Sequence, residues 1–188
     1  MNIILGSQSP RRRELMKGID IPFTVVNIDA DETYPSHLAA DDIPIYISRA
    51  KARAYAKNLT EDDLLITADT IVWVDGQMLG KPHNDEQAKQ MLRQLRGKTH
   101  QVYTGVTFLY QGQYDSLVDK TDVTFKSLSE EEIDYYVRTY KPFDKAGAYG
   151  VQEYIGYIGV TKMEGSYFNV MGFPISRVYE KIKQYLSK

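Results

Sequence analysis

The sequence predicts an α/β fold of mixed α+β character, built on a mixed β-sheet, and three observations carry that prediction. An apolar strand, Asn2-Ile3-Ile4-Leu5, runs into a helix start. Asp75-Gly76 is a two-residue hairpin signal, which makes the strands on either side antiparallel. Two longer strands, Gln101 to Tyr110 and Tyr114 to Phe125, are joined by a Gln111-Gly112-Gln113 turn. Hairpins mixed with strand–helix units give a sheet with both kinds of neighbour.

Each element has a local reason. Gly6 loosens the turn after the first strand, and Ser7-Gln8-Ser9-Pro10 opens the first helix. Ser9 is a candidate side-chain cap, and Pro10 suits the first helical position because its missing N–H costs nothing there. Ile21 to Ile28 alternates loosely and reads as a strand entering the acidic loop Asp29-Ala30-Asp31-Glu32-Thr33. A second helix begins near Asp42 and Pro44 and ends about Asn58, with Ile43, Ile47, Ala50 and Ala54 as its apolar stripe and Lys51 on the flank. Leu64 to Ala68 and Ile71 to Val74 form one apolar strand interrupted by Asp69-Thr70, returning after the hairpin through Gln77 to Leu79. Proline ends that strand at Gly80-Lys81-Pro82. Asn84 or Asp85 caps a third helix with Ala88, Met91, Leu92 and Leu95 on one face and Gly97 after its end. Ser129 and Glu132 make a capping box for Glu130 to Tyr140. Gly147 to Gly172 reads as short strands and turns, and Ile175 to Leu186 as a closing helix.

The totals bound the function. A chain of 188 residues is expected to be one domain over 1–188, or two lobes sharing a core. Folding at this size buries roughly 70 % of the unfolded surface, so no metal staple is required. A net charge of −2 gives no global reason for a nucleic-acid or anionic-membrane partner, so any basic site must be local. The absence of cysteine excludes disulfides, thiolate nucleophiles and cysteine-based metal sites, and fits a reducing compartment. With no apolar run near the roughly 18–20 residues of a membrane span, the protein is expected to be soluble and cytoplasmic.

Arg11-Arg12-Arg13 stand in the first turn of the first helix, where the macrodipole is already positive. Each exposed cation there costs about 0.3–1 kcal/mol, and an anion held by the free backbone N–H groups reverses that balance. A phosphate site explains the run; a solvated basic face is the plainer alternative. Asp69 sits inside a buried strand run, where a carboxylate must be paired, hydrogen-bonded or metal-bound; a local turn bond is its ordinary use. Pairing Val74 with Gln77 across the hairpin pairs Thr70 with Lys81, which brings Lys81 within one residue of Asp69 along the ladder. Asp31 and Glu32 are candidates to join Asp69 around a hard cation such as Mg²⁺, although acidic loops commonly serve solubility. Lys51 is either a snorkelling lysine or a phosphate ligand. Gly76-x-x-x-Gly80-Lys81 fails as a phosphate-binding loop, with three residues between the glycines and proline after lysine. His37, His83 and His100 have no metal-ligand spacing, and no G-x-S-x-G elbow occurs. Clustered cations, carboxylates and a glycine-rich far wall are the parts that phosphoryl chemistry needs.

Over nearly its whole length the chain resembles the Maf family of nucleotide pyrophosphatases. The resemblance rests on Leu5-Gly6-Ser7-Gln8-Ser9-Pro10-Arg11-Arg12 with Glu14-Leu15, on Ala68-Asp69-Thr70 and on Gly80-Lys81-Pro82. It continues through Met91-Leu92, Leu95, Gly97, His100, Val102 and Thr104-Gly105-Val106 to Ala146-Gly147-Ala148-Tyr149-Gly150-Val151-Gln152 and Gly165-Ser166-Tyr167. It implies an inosine-triphosphatase-like fold: a mixed twisted sheet flanked by helices, with two lobes and a central cleft. It also implies hydrolysis of nucleoside triphosphates to monophosphate and pyrophosphate with a divalent metal, Mg²⁺ or Mn²⁺. The stretch Asp144 to Gln152 is similar to the branch acting on dTTP and UTP, with modified pyrimidine nucleotides as further candidates. By motif, Asp69 matches the proton acceptor. Arg11, Arg12, Thr70 and Gln152 match positions linked to substrate binding or activity, while Ser7, Lys51 and Lys81 match phosphate contacts. Glu32 matches an acidic position that helps hold metal, and Asp69 is the expected metal ligand beside it. The chain departs from the pattern at Gly6, usually alanine, at Glu153, where glycine is common, and at Phe173, usually leucine.

The expected partner is therefore a nucleoside triphosphate substrate, with no nucleic acid and no membrane; a homodimer is compatible with the sequence, which does not fix the oligomer. Two other classes stay open. The family's association with arrest of septum formation allows a nucleotide-sensing regulator of division with little catalysis, which pyrophosphate release separates from an enzyme. A nucleotide-independent interaction module predicts no thermal shift with triphosphate and metal.

Overall fold

The computed structural model describes residues 1–187. In chain order the elements are β1 Asn2–Gly6, α1 Pro10–Lys17, β2 Thr24–Val26, α2 Asp42–Tyr55, β3 Asp63–Val74, β4 Gln77–Leu79, α3 Asp85–Leu95, β5 Thr99–Tyr110 and β6 Gln113–Phe125. They continue as α4 Glu130–Tyr140, α5 Tyr154–Gly159, β7 Val160–Glu164, α6 Tyr167–Val170 and α7 Ile175–Leu186, with 3-10 turns at Ala56–Asn58 and Ala146–Ala148. The strands form one sheet in the order β2-β1-β3-β5-β6-β7, and β4 pairs with β3. β1 is parallel to both β2 and β3, whereas β3–β4 and β6–β7 are antiparallel, so the sheet is mixed as the sequence predicts.

The chain divides into two compact units. The first holds Met1–Thr70, Thr104–Asp119 and 172–187, and the second holds Ile71–Tyr103 and Lys120–Met171. In the first unit, β1 and β3 read as near-continuous apolar runs because both faces are covered. Ile3, Leu5, Leu64 and Ile66 join Met16 of α1 and Ile175, Val178, Ile182 and Tyr185 of α7. Their neighbours Ile4 and Leu65 join Ala52 of α2 and Leu109 in another cluster. The parallel register sets Leu5 beside Ile66 and Gly6 beside Thr67, which brings the end of the N-terminal motif alongside the approach to Asp69. In the second unit, Ala88, Leu92 and Leu95 of α3 and Ile133, Tyr136 and Val137 of α4 pack with Val72, Val102, Phe125 and Tyr149.

The capping signals of α3 and α4 hold. Asn84 caps α3 by accepting from the Gln87 N–H at 2.9 Å, and the Ser129–Glu132 capping box is complete. Five expectations need correction. Ser9 occupies the N-cap of α1, but its side chain makes no cap bond. The second strand shrinks to three residues, since Pro22 has no N–H to give a ladder and Ile21 and Phe23 pack into the first unit's core. The buried face of α2 carries Ser48 and Ala52 rather than Ala54; Ser48 is tolerated inside because its hydroxyl pairs with Thr107 Oγ1 at 2.7 Å. The segment from Gly147 to Gly172 contains two short helices and one strand, and its glycines mask the helical pattern. Finally, the β3–β4 ladder stops at Val72–Leu79, because the Gly80 carbonyl accepts the Gly147 N–H at 3.0 Å instead. The register therefore does not extend to Thr70 and Lys81.

Candidate active site

Seven of the nine residues matched to the family pattern lie in the first unit: Ser7, Arg11, Arg12, Glu32, Lys51, Asp69 and Thr70. Lys81 and Gln152 belong to the second. Asp69 interrupts an otherwise buried run of β3, and its charge is met from α2: Lys51 Nζ donates to Asp69 Oδ1 at 2.8 Å. The same Nζ lies 2.9 Å from Glu32 Oε1, so one ammonium joins the acidic loop to the strand. Lys51 and Asp69 are largely covered, with side-chain exposures of 13 % and 14 %, whereas Glu32 is half exposed at 51 %. The pair nearest the core is thus the less screened one. The cation answering Asp69 is Lys51, from α2. Lys51 reaches it because the buried face of α2 is centred nearer Ser48 and Ala52 than the apolar stripe implies.

Arg12 holds the peptide on both sides of Asp69. Its Nη1 donates to the Ala68 carbonyl at 2.9 Å, its Nη2 to Thr70 Oγ1 at 3.0 Å, and its Nε to the Gly172 carbonyl at 2.8 Å. Three of the five N–H groups of the guanidinium fork are therefore spent on protein oxygens. Burial lowers the Arg12 pKa from its ordinary value; Asp69 and Glu32 oppose that shift and Arg11 adds to it. Thr70 Oγ1 also shares a 2.9 Å hydrogen bond with Thr104 Oγ1. At the start of α1, Ser7 Oγ accepts the Ser9 N–H at 3.2 Å and the Ser7 carbonyl accepts from Arg13 Nε at 3.2 Å, so Ser7 and Arg13 shape the turn that presents Arg11 and Arg12.

The acidic loop divides its labour. Asp31 Oδ1 accepts the Thr33 N–H at 2.9 Å, a local turn bond that also lowers its pKa, while Glu32 reaches Lys51. In the second unit, Lys81 is exposed, and Gln152 is partly covered with its Oε1 enclosed and without a hydrogen-bond partner among the described residues. Residue-type reasoning misses Thr104 and Gly172. Thr104 lies in the Thr104-Gly105-Val106 run, a signal available in the sequence, whereas Gly172 contributes only a carbonyl, which no residue type announces.

The family model for Maf-like protein matches residues 2–185. A dTTP/UTP pyrophosphatase of Phocaeicola vulgatus is 55 % identical over 183 residues, covering 97 % of this chain and 95 % of that protein. A dTTP/UTP pyrophosphatase of Bacteroides thetaiotaomicron is also 55 % identical over the same coverage. The solved structure of the Ham1 protein of Staphylococcus aureus shares the fold, with a TM-score of 0.55, 16 % identity, and 96 % of this chain and 100 % of that chain covered.

Proposed function

The chain belongs to the Maf-like protein family, and from that premise we propose that it hydrolyses dTTP and UTP to the monophosphate and pyrophosphate. It is a nucleoside triphosphate pyrophosphatase, in keeping with relatives named dTTP/UTP pyrophosphatase at 55 % identity over nearly its full length. The observation that carries the mechanism is the cluster in which Lys51 joins Asp69 and Glu32 while Arg12 grips the residues flanking Asp69.

In this reading Asp69 takes the proton of the attacking water. The water oxygen bonds to the α-phosphorus, the bond from that phosphorus to the α–β bridging oxygen breaks, and pyrophosphate leaves. Lys51 holds Asp69 Oδ1 and fixes the direction in which the carboxylate meets the water. Arg11, Lys51 and Lys81 offset the charge of the triphosphate, Ser7 and Thr70 offer it hydrogen bonds, and Arg12 adds its charge while keeping Asp69 and Thr70 in place. Gln152 offers both a donor and an acceptor to a pyrimidine edge, which its enclosed, unanswered Oε1 supports.

Lys51 Nζ brings Glu32 and Asp69 together, at 2.9 and 2.8 Å, and two neighbouring carboxylates are a donor set that suits a divalent cation. Mg²⁺ is commonly bound by one or two carboxylates plus substrate phosphates, and Asp69 and Glu32 would hold Mg²⁺ or Mn²⁺ in that way. When bound, it would supply positive charge to the phosphate oxygens. We assign the protein to the cytoplasm, acting on the nucleotide pool without nucleic acid or membrane; among the described residues no helix is long and apolar enough to cross a membrane.

The test is a screen of canonical and modified triphosphates with Mg²⁺ and Mn²⁺, scored for pyrophosphate. Turnover of dTTP and UTP is expected. A response to purine nucleotides alone contradicts the substrate assignment, and binding without turnover marks a nucleotide-sensing regulator.

A further inference from the structure

Glu153 follows Gln152 directly, and its carboxylate is engaged from two sides. The Tyr136 hydroxyl donates to Glu153 Oε2, and Lys145 Nζ lies 3.0 Å from Glu153 Oε1 and 2.8 Å from Asp144 Oδ1. The Tyr136 oxygen in turn accepts the Gly150 N–H at 3.0 Å, and the Glu153 N–H donates to the Gly150 carbonyl at 3.1 Å. None of this is surface decoration, since Tyr136 is fully buried and the Lys145 side chain is only 9 % exposed. Nor is Glu153 serving the helix it precedes. It is the N-cap residue of α5, yet its side chain makes no cap bond. The cluster is also seated hard on the backbone: a Cβ on Gly150 would come within 2.8 Å of Glu153 Cδ and 3.0 Å of Lys145 Cε.

Between the two pinned residues stand Val151, 5 % exposed, and Gln152. An enclosed amide oxygen without a partner is unfavourable until a ligand supplies a donor. Uracil and thymine present such a donor, an imide N–H between two carbonyls. Cytosine presents an acceptor at the same ring nitrogen and an amino group beside it. A glutamine free to rotate its amide serves either base, whereas one held with its oxygen forward repels cytosine.

We propose that Tyr136, Glu153 and Lys145 form a staple that positions Gln152, making Glu153 a specificity-determining residue for the imide edge shared by uracil and thymine. The proposal rests on the reading above that Gln152 meets the base. Specificity here is a device of the segment Gly150–Glu153, whose backbone the Tyr136 hydroxyl and the Gly150–Glu153 hydrogen bond hold on both sides of Gln152. Glu153 acts through its neighbour and is a positioning residue.

The test compares kcat and KM for UTP and CTP in wild type, Glu153→Gln, Tyr136→Phe, Gln152→Ala and the Gln152→Ala/Glu153→Gln double variant. In Glu153→Gln the UTP preference narrows by about three- to tenfold, the worth of one neutral hydrogen bond, with the loss falling on KM for UTP. Tyr136→Phe and Gln152→Ala narrow it similarly, and the double variant narrows it no further than Gln152→Ala alone. Where Tyr136→Phe does not fold, Glu153→Gln decides. If Gln152→Ala narrows the preference and Glu153→Gln leaves it intact, the staple proposal falls and base reading by Gln152 stands. If Glu153→Gln narrows it further in the Gln152→Ala background, Glu153 does not act through Gln152 and the proposal falls. A wild type indifferent to UTP and CTP, or a Gln152→Ala variant with full preference, overturns both.

Discussion

Replacing Arg12 with lysine separates two roles that a basic residue beside a phosphate site can play. In the structure its guanidinium spans three acceptors: the Ala68 carbonyl at 2.9 Å, Thr70 Oγ1 at 3.0 Å and the Gly172 carbonyl at 2.8 Å. A lysine ammonium is a single nitrogen on a flexible stem and cannot bridge all three. Two hydrogen bonds from a charged donor are lost, each worth roughly 1.5 kcal/mol at the low end appropriate to a partly exposed side chain, so stability falls by about 3 kcal/mol. In a chain of this length each kcal/mol moves the melting temperature by about 2–4 °C, which predicts a drop of roughly 6–12 °C in Arg12→Lys without nucleotide. Because the lost bonds flank Asp69, kcat falls more than KM rises. Thermal unfolding by circular dichroism and steady-state pyrophosphate release measure the two effects. An unchanged melting temperature with a rise in KM alone would refute the clamp and leave Arg12 as a simple phosphate ligand.

Two further perturbations test the fold around the site. A Cβ at Gly105 would sit 2.4 Å from the Pro44 carbonyl carbon and 2.5 Å from the Ile45 nitrogen, backbone atoms that cannot swing away. Gly105→Ala is expected to cost about 1–3 kcal/mol or more, read as a lower melting temperature; an unaltered value contradicts the close approach of β5 to the first turn of α2. His100 is fully buried with Nε2 2.7 Å from the Tyr149 hydroxyl, and desolvation holds its pKa down at about 4 against an ordinary 6.5. The unfolded chain therefore binds the proton first as pH falls. Stability is complete above about pH 6.5 and declines toward pH 4 by up to about 3 kcal/mol. Urea unfolding of wild type and His100→Gln at pH 4.5 and 7.5 checks this, and a wild type with equal stability at both contradicts it.

What the sequence reveals about this molecule tracks how local each cause is. The Asp75-Gly76 hairpin, the Ser129–Glu132 box and the cap at Asn84 depend on residues within a few positions, and all three form. The partner of Asp69 depends on how α2 turns against β3. Periodicity misjudges that by counting Ala54 as buried and passing over Ser48, which enters the core only because Thr107 pairs with it. The reach of Arg12 to Gly172 spans 160 positions and ends on a carbonyl, so no residue pattern encodes it. The staple around Gln152 hides for a similar reason: Tyr136 reads as one more tyrosine on an amphipathic helix until its hydroxyl is seen to meet both Gly150 and Glu153.

The most direct test of the mechanism is Asp69→Asn. The amide keeps an oxygen for Lys51, so fold and nucleotide affinity are expected to stay near wild type, while the ability to take up a proton is lost. Pyrophosphate release from dTTP and UTP should fall at least about 100-fold, the usual scale of general-base catalysis, with calorimetric binding of the same nucleotides retained. Turnover within a few fold of wild type contradicts the account and removes Asp69 from the chemistry.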